Sequence, residues 1–525
     1  MTARPLEAET PREVSPVADV NAVRQLGFAA AITSLGYVFW VVGAMEMVER
    51  LAYYGVKAVA TLYAKDPVSN GGLGITMTRF GTILMVWALI QTLVPVMTGG
   101  LSDRYGYKET IFASTIVKIS GYLTMATWPT FGGFLAGAVL LATGTGIFKP
   151  GISATLVKAT GPNNSSMAWG IFYQTVNIGG YIGPLVAGLM RKMAWHYVFY
   201  ANAAVICLNF LLLLSYKEPG KEQRLAREAL SKQAHAKRET LAVQSLRELR
   251  KRHVWTYLLI FSGFWFMFNA LFDVLPAHID DWVDSSGIVK TLFSSNWAHS
   301  PVVQFFVVLN KDGTAVQPEG MLNLNAGMIM ITCFAFAYVS GKMRATTSMV
   351  VGTLLATAAF CLCGFSNTGW LTVGSIAIFS VGEMLSSPKF LEFIGNFAPP
   401  DKKAMYLGFS QIPMAIGWTL EGKIGPVLYD HFASKERFAR EALGERGLLG
   451  AADIARIPEG EAFSKLVALS GETKEAVTHA LYVTHDVGAV WYIMALVGVM
   501  SAVGIYWYGR WIVGRAIAPA PAVTS

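Results

Sequence analysis

Gly99-Gly100-Leu101-Ser102-Asp103-Arg104-Tyr105-Gly106-Tyr107-Lys108 is a short polar interruption between two long apolar runs, near residues 77–100 and 109–129. Its glycines permit a tight reversal, because a residue without Cβ enters backbone conformations closed to the others. Arg104 and Lys108 put positive charge at that reversal. Basic residues collect in the cytoplasmic loops of membrane proteins. The stretch therefore reads as an inner hairpin between two helices that cross a bilayer.

Outward from the hairpin, ten more apolar segments can be drawn. The full set lies near 35–63, 77–100, 109–129, 131–158, 166–190, 195–216, 254–280, 320–341, 346–366, 369–396, 403–429 and 485–512. Each has about 20 residues or more, enough to cross a hydrocarbon core of about 30 Å. Of the 525 residues 53% are hydrophobic and 14% charged, where a soluble chain carries about 25% charged residues. The reading is an all-α polytopic membrane protein with twelve transmembrane helices. The net charge of +8 follows the spans and implies no nucleic acid.

The distribution of Lys and Arg predicts both termini in the cytoplasm. Residues 1–34 form an N-terminal tail, polar and without a signal-peptide pattern in its first 28 residues, and 513–525 a C-terminal one. Residues 35–216 and 254–512 form two six-helix bundles. The basic stretch 217–253 between them is either an amphipathic linker on the anionic leaflet or a disordered one. Insertions at 281–319 and 431–483 fall outside; helix-like patches occur at Lys435–Leu443 and Glu461–Leu469. The four cysteines sit in apolar runs as packing residues, with no metal spacing. No nucleotide loop or nucleophile motif points to an enzyme.

The first span is the unusual one. It contains Gly43-Ala44-Met45-Glu46-Met47-Val48-Glu49-Arg50-Leu51-Ala52-Tyr53-Tyr54-Gly55-Val56-Lys57. A charge at membrane depth costs on the order of 2.5–3.5 kcal/mol by insertion scales, so it faces a protein interior or a watery path. At about 100° per residue Glu46, Glu49, Arg50, Tyr53, Tyr54 and Lys57 share roughly a 140° arc. That stripe either lines a pathway or contains a structural Glu49–Arg50 pair. At 1.5 Å per residue Glu46 and Glu49 lie near mid-membrane, and Lys57 and Asp273 reach similar depths near the outside. Those two are expected to pair as an outer gate. Lys149 lies roughly 13 Å above the cytoplasmic end of its span. Glu383 is a lone carboxylate at mid-span, functional by default. Asn177 and Asn325 either contact substrate or join helices. Pro150 and Pro388 are expected to bend their spans. Glu421 and Lys423 read as interfacial or structural.

The two halves repeat weakly. Gly180-Tyr181-Ile182-Gly183-Pro184-Leu185 matches Gly422-Lys423-Ile424-Gly425-Pro426-Val427, and Lys149-Pro150 parallels Ser387-Pro388. Two parallel six-span repeats with a site between them is the major facilitator arrangement. The hairpin resembles the loop motif of that superfamily: glycine, Asp-Arg, then Gly-x-basic. The resemblance implies that Asp103 and Arg104 help latch one conformation.

Glu46-x-x-Glu49-Arg50 with Tyr53-Tyr54-Gly55 resembles the first-helix signature of the proton-coupled oligopeptide transporters. Gly144-Thr145-Gly146-Ile147-Phe148-Lys149-Pro150, Phe172-Tyr173-Gln174-Thr175-Val176-Asn177-Ile178-Gly179-Gly180 and Gly382-Glu383-Met384-Leu385-Ser386-Ser387-Pro388 resemble further segments of that family, in order. The chain departs from the family pattern at Leu51 for Phe, Lys57 for Arg, Val274 for Gln and Thr92 for a pocket Tyr. The resemblance implies proton coupling through Glu46, Glu49, Arg50, Lys149 and Asp273. It implies a substrate site of Arg50, Tyr53, Tyr54, Lys57, Lys149, Asn177, Asn325 and Glu383, and gating by Lys57, Asp273, Asp103, Arg104, Pro150 and Pro388. The expected function is proton-driven import of di- and tripeptides or peptide-like solutes, by a monomer in a bacterial plasma membrane, with no cofactor or metal. Its rivals are a carrier of another small anionic or amphoteric metabolite and a sensor that transports little.

Overall fold

The computed structural model describes residues 28–161, 164–219, 221–222, 247–293, 295–397, 406 and 408–517. Among the described residues twelve helices have 20 residues or more. They are α1 (Tyr37–Lys57), α2 (Met77–Tyr105), α3 (Tyr107–Thr127), α4 (Phe131–Lys158), α5 (Ser165–Arg191), α6 (Trp195–Leu214), α7 (Arg252–Asp273), α8 (Pro318–Gly341), α9 (Ala345–Phe365), α10 (Gly369–Phe397), α11 (Gln411–Phe432) and α12 (Ala489–Ile517). Eight of them hold an apolar stretch long enough to cross a bilayer. The other four, α1, α3, α5 and α11, are long enough but more polar. Of the 217–253 linker, residues 220 and 223–246 lie outside the described residues.

The inner hairpin reverses at Gly106, whose φ of +114° favours a residue without Cβ. Gly99 and Gly100 stay helical inside α2. Asp103 and Arg104 lie in the last turn of α2, with side chains outside the described set. Thr76 and Thr130 cap α2 and α4 by accepting from the N–H of Arg79 and Gly133, which satisfies amides the helix itself leaves free.

Two expected spans are broken where the sequence reads as continuous. The first divides into α1 and a short helix, Ala60–Lys65; the seventh divides into α7 and Leu275–Trp282. Pro276 explains the second break, since proline lacks an N–H and disfavours helix in the residue before it. The first has no proline. There the Thr61 hydroxyl instead donates to the backbone carbonyl of Asp273, 2.8 Å away, so the two broken ends bind each other.

Packing shows the repeat more clearly than the sequence does. In the first half α1 packs on α5 and α6, α2 on α4, and α3 on α4 and α6. In the second, α7 packs on α11 and α12, α8 on α10, and α9 on α10 and α12. Each contact recurs six helices later. The main seams between halves, α2 with α11 and α5 with α8, exchange with each other under the same rule. Close approach needs small residues: a Cβ on Gly183 of α5 would stand 2.5 Å from the Leu51 carbonyl of α1, and one on Gly81 of α2 would stand 2.5 Å from the Gly422 carbonyl of α11.

We call the end of the bundle opposite the termini distal. Both insertions sit there. The second folds into helices Lys435–Glu445, Ala451–Ile454, Ala462–Ser470 and Lys474–Thr484. It reaches the other half through Glu461, which accepts from Ser69 at 2.8 Å. At its root Asp430 of α11 accepts from the Met77 and Thr78 amides at 3.2 and 2.6 Å, so the first turn of α2 is capped by the opposite half.

Candidate functional site

The charges on α1 separate into two clusters along its length. In the first, Arg50 donates from Nε to Glu46 Oε1 at 2.7 Å and lies 2.9 Å through Nη2 from Glu49 Oε2. Glu49 is fully buried. Its Oε1 takes Lys118 Nζ of α3 and the Thr145 hydroxyl of α4, each at 3.3 Å. Lys118 is also fully buried, its ammonium 4.0 Å from the centre of the Phe148 ring. The sequence reading passed over Lys118, although a lysine inside the 109–129 span meets the same rule that singled out Glu383.

Lys149 is half-buried and forms no ion pair among the described residues; it acts on Arg50, Glu46 and Glu49 at longer range. Lys118, rather than Lys149, is thus the lysine held by Glu49. The local sum is three cations against two carboxylates.

The second cluster joins the broken ends. Lys57 forms an ion pair with Asp273 Oδ1. Trp418 Nε1 of α11 donates to Asp273 Oδ2 at 3.0 Å. The Lys57 ammonium also lies 4.5 Å from the Trp418 ring centre and 5.5 Å from that of Trp87, a favourable placement over aromatic faces. All of this is buried. Among the described residues the other ion pairs between halves are also distal: Lys65–Asp281 at 2.5 Å, Arg191–Glu319 at 2.9 Å and Arg191–Asp280 at 3.8 Å. That end is shut.

Below it lies a cavity of about 220 Å³ between the halves. Tyr54, Tyr173 and Asn177 line it from the first half; Trp265, Phe268, Asn325 and Glu383 line it from the second. Asn325 of α8 donates to Glu383 Oε2 at 2.9 Å and to Ser380 at 3.0 Å. Of the two readings of Asn325, the helix-joining bond is the one formed, and it holds the carboxylate in place. Asn177 donates back to the Tyr173 carbonyl of its own helix at 2.9 Å. Tyr54 lies where both Arg50 and Glu383 act on it. Tyr53 packs edge-on against Tyr54 and Trp87. Pro150 and Pro388 lie inside α4 and α10.

Among the described residues no group of His, Cys, Asp and Glu is placed to hold a metal. Two of the departures from the family pattern, Thr92 and Val274, are not among the residues that line the cavity. The Thr92 hydroxyl bonds the Ala88 carbonyl, and Val274 is fully buried beside Gly425. Lys423 is exposed, but Glu421 is fully buried, which removes the interfacial reading for Glu421.

The family model of the Major Facilitator Superfamily matches residues 47–420. The chain belongs to the Major Facilitator Superfamily. Its motifs resemble those of the oligopeptide transporters of that superfamily. A crystal structure of a peptide transporter, POT, in complex with sulfate superposes with a TM-score of 0.63 at 17% identity, covering 93% of this chain and 97% of that one. The peptide transporter YePEPT of Yersinia enterocolitica is 28% identical over 184 residues, 34% of this chain and 36% of that protein. The match thus spans about a third of that relative. The multidrug resistance protein MdtH of Edwardsiella ictaluri is 23% identical over 363 residues, 68% of this chain and 79% of that protein.

Proposed function

We propose that the protein is a proton-coupled symporter that imports short peptides or peptide-like solutes into a bacterial cell, with both termini in the cytoplasm and the distal end outside. The observation that carries this reading is the polarity of the central cavity. Its first-half side adjoins a cluster with one cation in excess, and its second-half wall presents Glu383, held by Asn325. A zwitterion has matching ends: its carboxylate goes to Lys149 and Arg50, its ammonium to Glu383. Charge-assisted hydrogen bonds of this kind contribute about 1.5–3 kcal/mol each.

The cycle follows from the pairs. Protonation of Glu49 or Glu46 removes a carboxylate from Arg50 and Lys118 and raises the positive excess facing the substrate carboxylate. Loss of the proton on the cytoplasmic side re-forms the pairs and expels the substrate. Lys57–Asp273 closes the outer mouth meanwhile. The protein works without a cofactor, on the proton gradient, as a monomer.

A second reading is a proton-coupled carrier of another amphoteric or anionic metabolite. Thr92 and Val274 favour it, because both stand outside the cavity where the family pattern expects pocket groups. The test is uptake of a labelled dipeptide into proteoliposomes under an inward proton gradient, with Glu49→Gln and Glu383→Gln beside the parent. Gradient-driven uptake by the parent, lost in both variants, is the expected result. A parent that dissipates the gradient only with another solute makes the second reading correct; one that moves nothing makes the protein a sensor.

A further inference from the structure

We propose that Glu421 and Asp273 hold one proton between them, so that Glu421 is a proton-carrying residue of the distal gate. Glu421 sits on α11 one turn after Trp418, the residue that donates to Asp273. It is fully buried, and neither of its carboxyl oxygens receives a hydrogen bond from any described donor. Its carboxyl lies within hydrogen-bond reach of that of Asp273, and among the described residues Lys57 is the cation acting on it. Each Asp273 oxygen takes one donor, Lys57 on Oδ1 and Trp418 on Oδ2, and keeps a lone pair free to accept another.

The groups facing Glu421 come from every neighbouring helix. α1 brings Lys57 and α7 brings Asp273, while the break in α7 and α12 close the space with Val274 and Met494 beside Gly425. α2 packs with Leu84 and Met85 against Gly422. His278, one turn beyond Asp273, stacks edge-on against Trp491 instead.

Two carboxyl groups and one ammonium therefore share a dry site. Two adjacent buried carboxylates do not both ionise, and an uncompensated buried charge is strongly destabilising. One proton resolves both faults: Glu421 donates its O–H to the Asp273 carboxylate, and the sum with Lys57 becomes neutral. Closing the distal mouth then takes up one proton from the distal side. Its release toward the other side leaves two carboxylates on one lysine, and their repulsion reopens the mouth.

The consequence for uptake rests on the symport reading; the proton site itself does not. The test is therefore free of substrate: infrared difference spectra between acid and alkaline pH, on the full-length protein in lipid. The parent is expected to show a protonated-carboxyl C=O stretch that is lost in Glu421→Gln. It is also expected to be lost in Asp273→Asn, where Glu421 ionises as the sole partner of Lys57. A Glu421→Gln spectrum identical to the parent's overturns the proposal, as does a band that persists in Asp273→Asn. If Glu421→Gln does not fold, Asp273→Asn alone decides in the same way. A parent that carries the band and imports no dipeptide keeps this site and loses the peptide reading.

Discussion

The two charged clusters on α1 sit about two turns apart, and their sums have opposite sign. Around Arg50, three cations face two carboxylates; around Lys57, one cation faces two. Both are buried, and burial makes an unbalanced charge expensive. Each cluster is thus completed by something it does not contain. The first lacks an anion, which a substrate carboxylate supplies on the proposed reading. The second lacks a cation, which a proton supplies if Glu421 and Asp273 share one as proposed. The difference in sign between the two clusters follows from counting side chains.

The largest expected effect comes from breaking the pairs of the first cluster. Arg50→Met leaves Glu46 without its ion pair and Glu49 with Lys118 and Thr145. Breaking a buried pair by removing one partner costs about 3–5 kcal/mol, so the melting temperature of the purified protein falls steeply. Adding Glu46→Gln to that variant removes the carboxylate left unpaired, returns the local sum to the parent's single excess cation, and restores part of the loss. If the double variant is no more stable than the single one, the stranded Glu46 is not what destabilises it.

A smaller effect sharpens the comparison. Lys149→Gln removes the excess cation while leaving every ion pair of the cluster intact. Binding of a dipeptide with a free carboxylate is expected to weaken roughly fivefold, a loss of about 1 kcal/mol. Binding of its C-terminally amidated analogue is expected to stay the same. Equal weakening of both would mean that Lys149 shapes the cavity rather than meeting an anion.

The smallest effect lies beyond the second cluster, at the mouth. Lys435 donates to the Asp281 carbonyl at 2.5 Å. Burial, aided by Lys474 and Lys65 and opposed by Asp281 and Asp280, lowers its pKa to about 8. The unfolded lysine, with its ordinary value near 10.4, binds more protons than the folded one between those two values, so stability rises with pH in that window. Relative to Lys435→Met, the parent is expected to gain about 1 kcal/mol on going from about pH 7 to about pH 9. Thermal unfolding of the two proteins at both pH values checks it, and a constant difference between them refutes it.

Much of this was legible before the structure. The twelve helices follow from apolar length, and the stripe on α1 from the helical period. Lys57 and Asp273 meet because residues counted along two helices that run the same way reach similar depth. Lys118 was harder to read, since one lysine in an apolar run makes no pattern. Its contact with Glu49 depends on a four-carbon stem crossing between α1 and α3, which are not packed neighbours. The break after Lys57 has no proline to announce it. Glu421 was legible as a charge but not as a buried one, because burial depends on which face of α11 meets α7. At the matching place in the first half stands Gly179, which admits the backbone of α1. Glycine and glutamate thus stand at one matched position of the repeat.

The cap that Asp430 places on α2 has a consequence for the resting carrier. Its partners Met77 and Thr78 belong to the opposite half, so the mouth does not gape without exposing the first turn of α2. Losing such a cap costs about 1 kcal/mol, whether or not any solute or proton is bound. That cost acts as a preload on the outer door. On the proposed reading, an idle carrier is biased by that amount toward a shut outer mouth, and it leaks less of the gradient on which it runs.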